Sequence, residues 1–171
     1  MRERVRQLVT ETKPFMLIGS PPCTMFCLLQ NLSRNKRDPK VFAKKMAEAE
    51  KHIRFCLELY EMQRSAGRCF LHEHPNTATS WQMPEMIAFA AKPDIETTVC
   101  DMCAYGMQVQ DEHGEAYARK NTKLMSNAPE VLKRLGKRCP NRPVPVAAEA
   151  MRAATRFGPA GQSPVASAGR L

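Results

Sequence analysis

The chain has 171 residues, 43% hydrophobic and 25% charged, a balance that suits one globular domain with a real core and excludes a disordered or fibrous chain. No uninterrupted apolar stretch approaches the roughly 18–20 residues needed to span a bilayer. The charged start Met1-Arg2-Glu3-Arg4-Val5-Arg6 lacks the apolar core of a secretory signal. A soluble, intracellular protein without a membrane partner is therefore expected. With 26 Lys and Arg against 17 Asp and Glu, the net charge of +9 points to a polyanionic partner, nucleic acid before others.

Along the chain, the first dozen residues read as a polar helix or lead-in. Phe15-Met16-Leu17-Ile18 with Gly19 reads as a buried strand, and Ser20-Pro21-Pro22-Cys23 after it as a stiff loop. The loop is expected to run to residue 38 and carries the basic cluster Arg34, Lys36 and Arg37. Asp38 and Pro39 are the N-cap and first position of a long helix. Phe42, Met46, Ala49, Ile53, Cys56 and Tyr60 form its apolar stripe, and Gly67 stops it. Arg68 to His72 reads as a second strand, broken by Glu73-His74-Pro75. Trp81 to Lys92 reads as a short helix around Pro84. A third strand starts at Thr97 and runs toward Tyr105, ended by Gly106. Residues 107–120 read as a polar loop, and Lys123 to Ser126 as a fourth strand. Asn127 and Glu130 have capping-box spacing for a helix through Val131, Leu132 and Leu135. From Pro140 the chain is rich in Ala, Pro, Gly and Ser, which predicts a disordered tail over 141–171 behind a domain of residues 1–140.

Strands alternating with helices predict an α/β sheet. The prolines fix their own φ angles and those of their neighbours, so Cys23 is expected to be held at the carboxyl end of a strand, where α/β sheets bind ligands. If the first two strands are parallel neighbours joined by the long helix, Cys23 and Glu73 share one sheet edge although fifty positions separate them. A thiol and a carboxyl brought together in this way suit covalent attack assisted by an acid.

These residues carry a resemblance. Pro21-Pro22-Cys23 resembles the proline-cysteine nucleophile motif of DNA cytosine-5 methyltransferases, and Glu73 falls where that family carries its catalytic glutamate. The chain is more closely similar to divergent methyltransferase-like segments of mobile-element polyproteins. That likeness rests on Ser20 to Thr24, His72 to Pro75, Asp101 to Gly106, and Lys120-Asn121-Thr122 with Asn127, in that order, over about residues 14–140. The resemblance implies a Rossmann-like α/β fold with Cys23 adding to a flipped cytosine. It also implies Glu73 as the acid at the ring and S-adenosylmethionine as methyl donor. Arg119 and Lys120 are candidates for contact with the base or a phosphate, as Arg34, Lys36 and Arg37 are for the DNA backbone. The Phe-x-Gly-x-Gly cofactor loop of the family is absent before Cys23. The expected fold is thus a partial, Rossmann-like methyltransferase domain lacking its cofactor-binding first half, inactive alone, with a separate amino-terminal half or a larger polyprotein as partner. A basic nucleic-acid-binding module without chemistry is the alternative.

Plainer readings compete at several positions. Cys23 also fits an inert buried cysteine, and Glu73 a solvated loop carboxylate. Cys100 and Cys103 with Cys139 and one of His72, His74 or His113 offer zinc ligands, but no second tight pair accompanies them. Trp81 fits packing before base stacking, and the lysines and arginines of 34–45 also fit a solvated face.

Overall fold

A computed structural model describes residues 1–27, 38–111 and 114–139. The basic cluster Arg34, Lys36 and Arg37, together with His113 and the Ala/Pro-rich tail, lies outside the described residues. Four strands form a mixed sheet in the order β1 (Met16–Gly19), β2 (Cys69–Pro75), β6 (Asn121–Ser126), β3 (Glu96–Asp101). β1 and β2 are parallel neighbours with Gly19 opposite His72, while β6 runs antiparallel to both β2 and β3. The carboxyl ends of β1, β2 and β3 and the start of β6 therefore meet at one edge.

The connection between β1 and β2 is α2 (Pro39–Ser65), which begins as its residue types dictate. The Asp38 carboxylate accepts from the Lys40 backbone N–H at 2.8 Å, and Pro39 occupies a position with no donor to lose. Its stripe lies on one face of the sheet, deeply buried only from Ile53 onward, where Ile53, Cys56, Leu57 and Tyr60 meet Phe70 of β2 and Met125 of β6. Burying side chains as large as Ile53 and Phe70 stabilises the fold by about 1.5–3 kcal/mol each. The helix ends at Gly67, whose φ of 68° favours glycine. Buried Gln63 ties this end down. Its amide donates to the carbonyls of Pro14 and Cys69 and accepts from Arg68, fastening the starts of β1 and β2 to α2. No described helix is long and apolar enough to cross a membrane.

The amino-terminal α1 (Arg2–Thr12) packs on α2 through an Arg6–Glu58 ion pair and the Arg2 and Arg6 guanidiniums over the Phe55 ring. α4 (Pro129–Leu135) covers the opposite face of the sheet near β3 and β6, where Leu132 meets Leu71, Cys100 and Leu124.

Several expectations are corrected. β2 continues through Glu73-His74-Pro75 instead of breaking there. Beyond His72 only β6 lies beside it, and proline is tolerated at the last residue of a strand with one partner. The segment after Trp81 is not one helix. A 3₁₀ turn over Thr79–Gln82 precedes α3 (Pro84–Ala90), because Pro84 holds Met83 extended. β3 stops at Asp101, and Met102–Tyr105 form a 3₁₀ turn ended by Gly106 at φ 81°. Residues 107–120 contain a hairpin, β4 (Gln108–Asp111) with β5 (Gly114–Tyr117). Asn127 does not cap α4. Its amide bridges the Phe70 N–H and the Arg68 carbonyl of the β2 segment, and the Ser126 hydroxyl accepts from the Ala128 N–H.

Candidate functional site: the sheet edge around Cys23 and Glu73

Leaving β1, the chain turns through Ser20, buried Pro21 and exposed Pro22 to half-buried Cys23. Cys23 begins a 3₁₀ turn over Thr24–Phe26, in which its carbonyl accepts from the Phe26 N–H at 2.9 Å. Phe26 drops into the core and anchors the turn from below. The Ser20 hydroxyl donates to the Glu73 carboxylate. The other carboxylate oxygen of Glu73 stands 4.0 Å from Lys120 Nζ. Three of the residues singled out by sequence or their immediate neighbours thus converge: the Cys23 loop through Ser20, then Glu73, then Lys120.

Arg119 is placed differently. Its guanidinium lies 3.4 Å from Asp101, a fully buried carboxylate that also accepts from Asn121 at 2.6 Å and from the Cys139 N–H at 3.0 Å. Arg138 adds an ion pair at 3.3 Å. Burial raises the Asp101 pKa, but the Cys139 N–H, Asn121 and the two arginines outweigh it and hold the group ionised below the usual aspartate value. Arg119 is therefore a structural partner of Asp101 in this arrangement, one step along the edge from Glu73.

Cys100 and Cys103, near Asp101, keep their protons. Burial, then the hydrogen bond and charge of the Cys139 thiol, push Cys103 up to about 11, and burial also raises Cys100. Among the described residues no three His, Cys, Asp or Glu side chains are arranged to hold a metal ion. Trp81 is packed against the end of β2. Its indole N–H donates to the Pro75 carbonyl at 2.9 Å, and Lys123 Nζ stands 4.7 Å over its ring.

The sequence offered His72 and His74, which flank Glu73, only as alternative zinc ligands, and the structure gives them other partners. His72 and His74 point from β2 toward the α2 face and are both fully buried. His72 Nδ1 meets the Tyr60 hydroxyl at 2.9 Å, and His74 Nδ1 meets the Ser80 hydroxyl at 2.6 Å. Among the described residues neither Nε2 has a hydrogen-bond partner. Burial, then the charge of His74, pushes His72 down to about 3. Burial also lowers His74, opposed by Glu73 and by the carbonyls of Pro21 and Pro22 beside it. Both rings are neutral at pH 7. The available signal was the alternation Phe70, His72, His74, which puts all three on the buried face of a strand.

Gly19 is required where it stands. A Cβ built there lies 2.9 Å from Tyr60 Cζ and nearer still to its hydroxyl, which passes over the glycine to reach His72.

No protein-family model matches the chain, and no curated protein or solved structure matches it.

Proposed function

We propose that the chain is the catalytic half of a cytosine-5 DNA methyltransferase-like domain, with Cys23 as nucleophile and Glu73 as acid. The observation that carries this reading is the parallel β1–α2–β2 unit, which brings the Ser20–Cys23 loop and Glu73 to one strand-end edge and joins them through the Ser20 hydroxyl. In this reading the fold is a Rossmann-like half-domain and the binding partner is nucleic acid, DNA first. Lys120 stands at the same edge for a phosphate or base contact, and the chain carries a net charge of +9.

The chemistry assigned to these residues is an addition. The Cys23 thiolate attacks carbon 6 of a flipped cytosine, and the electrons of the 5,6 double bond move toward carbon 5 and the ring nitrogen. Glu73, as the carboxylic acid, gives a proton or hydrogen bond to ring nitrogen 3 and stabilises the adduct. With water as the only proton source, carbon 5 takes a proton. Loss of a proton from carbon 5 and departure of the thiolate then restore the base.

S-adenosylmethionine, the donor implied by the resemblance, finds no cradle among the described residues. Tyr60 fills the space above Gly19, Gly67 closes a helix, and Gly106 and Gly114 turn the exposed β4–β5 segment. Methyl transfer is therefore not assigned to these residues. A cofactor-carrying amino-terminal half would be a partner, and β1 offers it an edge: its outer side is unpaired among the described residues, and Phe15 and Ile18 are 79% and 65% exposed.

The test is a covalent trap. Single-stranded oligonucleotide containing 2-pyrimidinone, a cytosine analogue lacking the 4-amino group whose ring adds a thiolate at carbon 6 readily and holds the adduct without methyl transfer, is incubated with the chain and read by intact-protein mass spectrometry. An adduct on Cys23 that disappears in Cys23→Ala and weakens in Glu73→Gln is expected. Salt-sensitive DNA binding without any adduct, undiminished in Cys23→Ala, would favour the non-catalytic nucleic-acid module, for which the net charge is the supporting observation.

A further inference from the structure

Successive residues of a strand point to opposite faces, and β2 uses this at its end. Glu73 lies on the α4 side and receives the Ser20 hydroxyl. His74 lies on the α2 side, against the carbonyls of Pro21 and Pro22 and with Phe26 edge-on at 5.8 Å. The loop leading to Cys23 thus straddles the end of β2, with Glu73 bonded to it on one face and the ring of His74 packed beside it on the other. His74 is fully buried, its Nδ1 is taken by the Ser80 hydroxyl at 2.6 Å, and its Nε2 has no hydrogen-bond partner among the described residues. A buried polar nitrogen without a partner is costly, so its direction carries information. Nε2 is the one ring nitrogen left for the loop carbonyls.

We infer that His74 is the positioning residue of the Cys23 loop: Ser80 donates to Nδ1, which fixes the Nε2–H tautomer and aims that N–H at the Pro21–Pro22 backbone. Two residues act on the loop in different ways. The Ser20–Glu73 contact ties the loop to the acid, and His74 sets the height of the prolines and hence the thiol. The loop-holding role stands on its own geometry, and its catalytic consequence rests on the reading of Cys23 as nucleophile.

Two measurements on the full chain test it separately from the adduct assay. Long-range proton–nitrogen correlation spectra of the native protein identify which ring nitrogen of His74 carries the proton. Nε2 is expected, and an Nδ1–H tautomer or a doubly protonated ring overturns the assignment. Residue-resolved alkylation by iodoacetamide, with Cys69 as internal reference, reads how well the loop is held. Opening of the loop in His74→Ala should raise the Cys23 rate at least about fivefold relative to Cys69. Gln places its amide nitrogen where Nε2 stood and is expected to keep the rate within about twofold of native, whereas Asn replaces only Nδ1 and should behave like Ala. Equal Cys23 rates in the native protein and in His74→Ala overturn the proposal. If His74→Ala does not fold, Ser80→Ala replaces it: loss of the hydroxyl should raise the Cys23 rate, and an unchanged rate is again a refutation. A missing adduct with the expected tautomer and alkylation pattern would refute the nucleophile and leave the positioning role standing.

Discussion

Replacing Gly19 with Ala is the most direct perturbation of this architecture, because Gly19 both ends β1 and lets the Tyr60 hydroxyl cross to His72. The added Cβ would lie 2.9 Å from Tyr60 Cζ and 3.2 Å from Cε1. Relaxed carbon contacts fall near 3.5–4.0 Å, so the ring must withdraw by roughly 0.6 Å at Cζ and further at the hydroxyl. It has little room to do so, being stacked on Phe70 at 4.8 Å between centroids and tilted against Phe89 at 6.4 Å. Overpacking of this kind costs about 1–3 kcal/mol. Losing the 2.9 Å contact to His72 Nδ1 leaves a second buried ring nitrogen unpaired and adds about 1–3 kcal/mol. A loss of about 2–6 kcal/mol is therefore expected by urea denaturation, seen as a lower midpoint with an unchanged slope. Tyr60→Phe removes the hydroxyl, and with it the closest part of the clash. The double variant should lose less than the sum of the single losses, by about 1 kcal/mol or more. Strict additivity, or a Gly19→Ala loss within about 0.5 kcal/mol of zero, would refute the crossing of Tyr60 over Gly19 as the reason for the glycine.

Other consequences follow from the same contacts. His72 titrates near 6.5 in the unfolded chain and near 3 in the folded one, so the unfolded state binds the extra proton between those values and stability falls as pH drops through 6.5. Between pH 7.5 and 5.0 the loss from this group alone is about 2 kcal/mol, and His74 adds in the same direction; a His72→Gln variant should show a flatter stability profile in that window by chemical denaturation. Removing the buried Asp101 carboxylate in Asp101→Ala strands Asn121, Arg119 and the Cys139 N–H, and thermal unfolding should report a loss of about 2–4 kcal/mol. Asp38→Ala removes the acceptor for the Lys40 N–H and should cost about 1 kcal/mol, with faster amide exchange confined to the first turn of α2.

The elements that positioned the candidate site were legible because their signals are local. The strand ending at Gly19, the Asp38-Pro39 start, the stripe from Phe42 to Tyr60 and the stop at Gly67 each follow from chemistry within a few residues, although β1, expected to be buried, is an edge strand that leaves Phe15 and Ile18 exposed. The sequence posed the parallel pairing of β1 and β2 only as a condition, which the helix between them permits and the structure meets. The β4–β5 hairpin was not legible. Its strands are largely exposed and polar, with Gln108, Gln110 and Glu115 on them, so the two-residue alternation of apolar side chains that marks a half-buried strand is missing. Asn127 misled because a capping box is a local pattern, while the amide found the unpaired backbone of Arg68 and Phe70 nearly sixty residues away.

By itself the sequence determined that Cys23 stands on a stiff turn after a strand and that Glu73 lies near the end of the next one, because proline geometry and hydrophobic periodicity act over short distances. Only the tertiary structure decided that β2 runs on through Pro75 and sends Glu73 and His74 to opposite faces. It also decided that Arg119 turns to Asp101 and that Tyr60 reaches His72 across Gly19. The physical reason is that a buried polar group takes whichever partner the packed sheet leaves within reach, and that choice is made across the fold rather than along the chain.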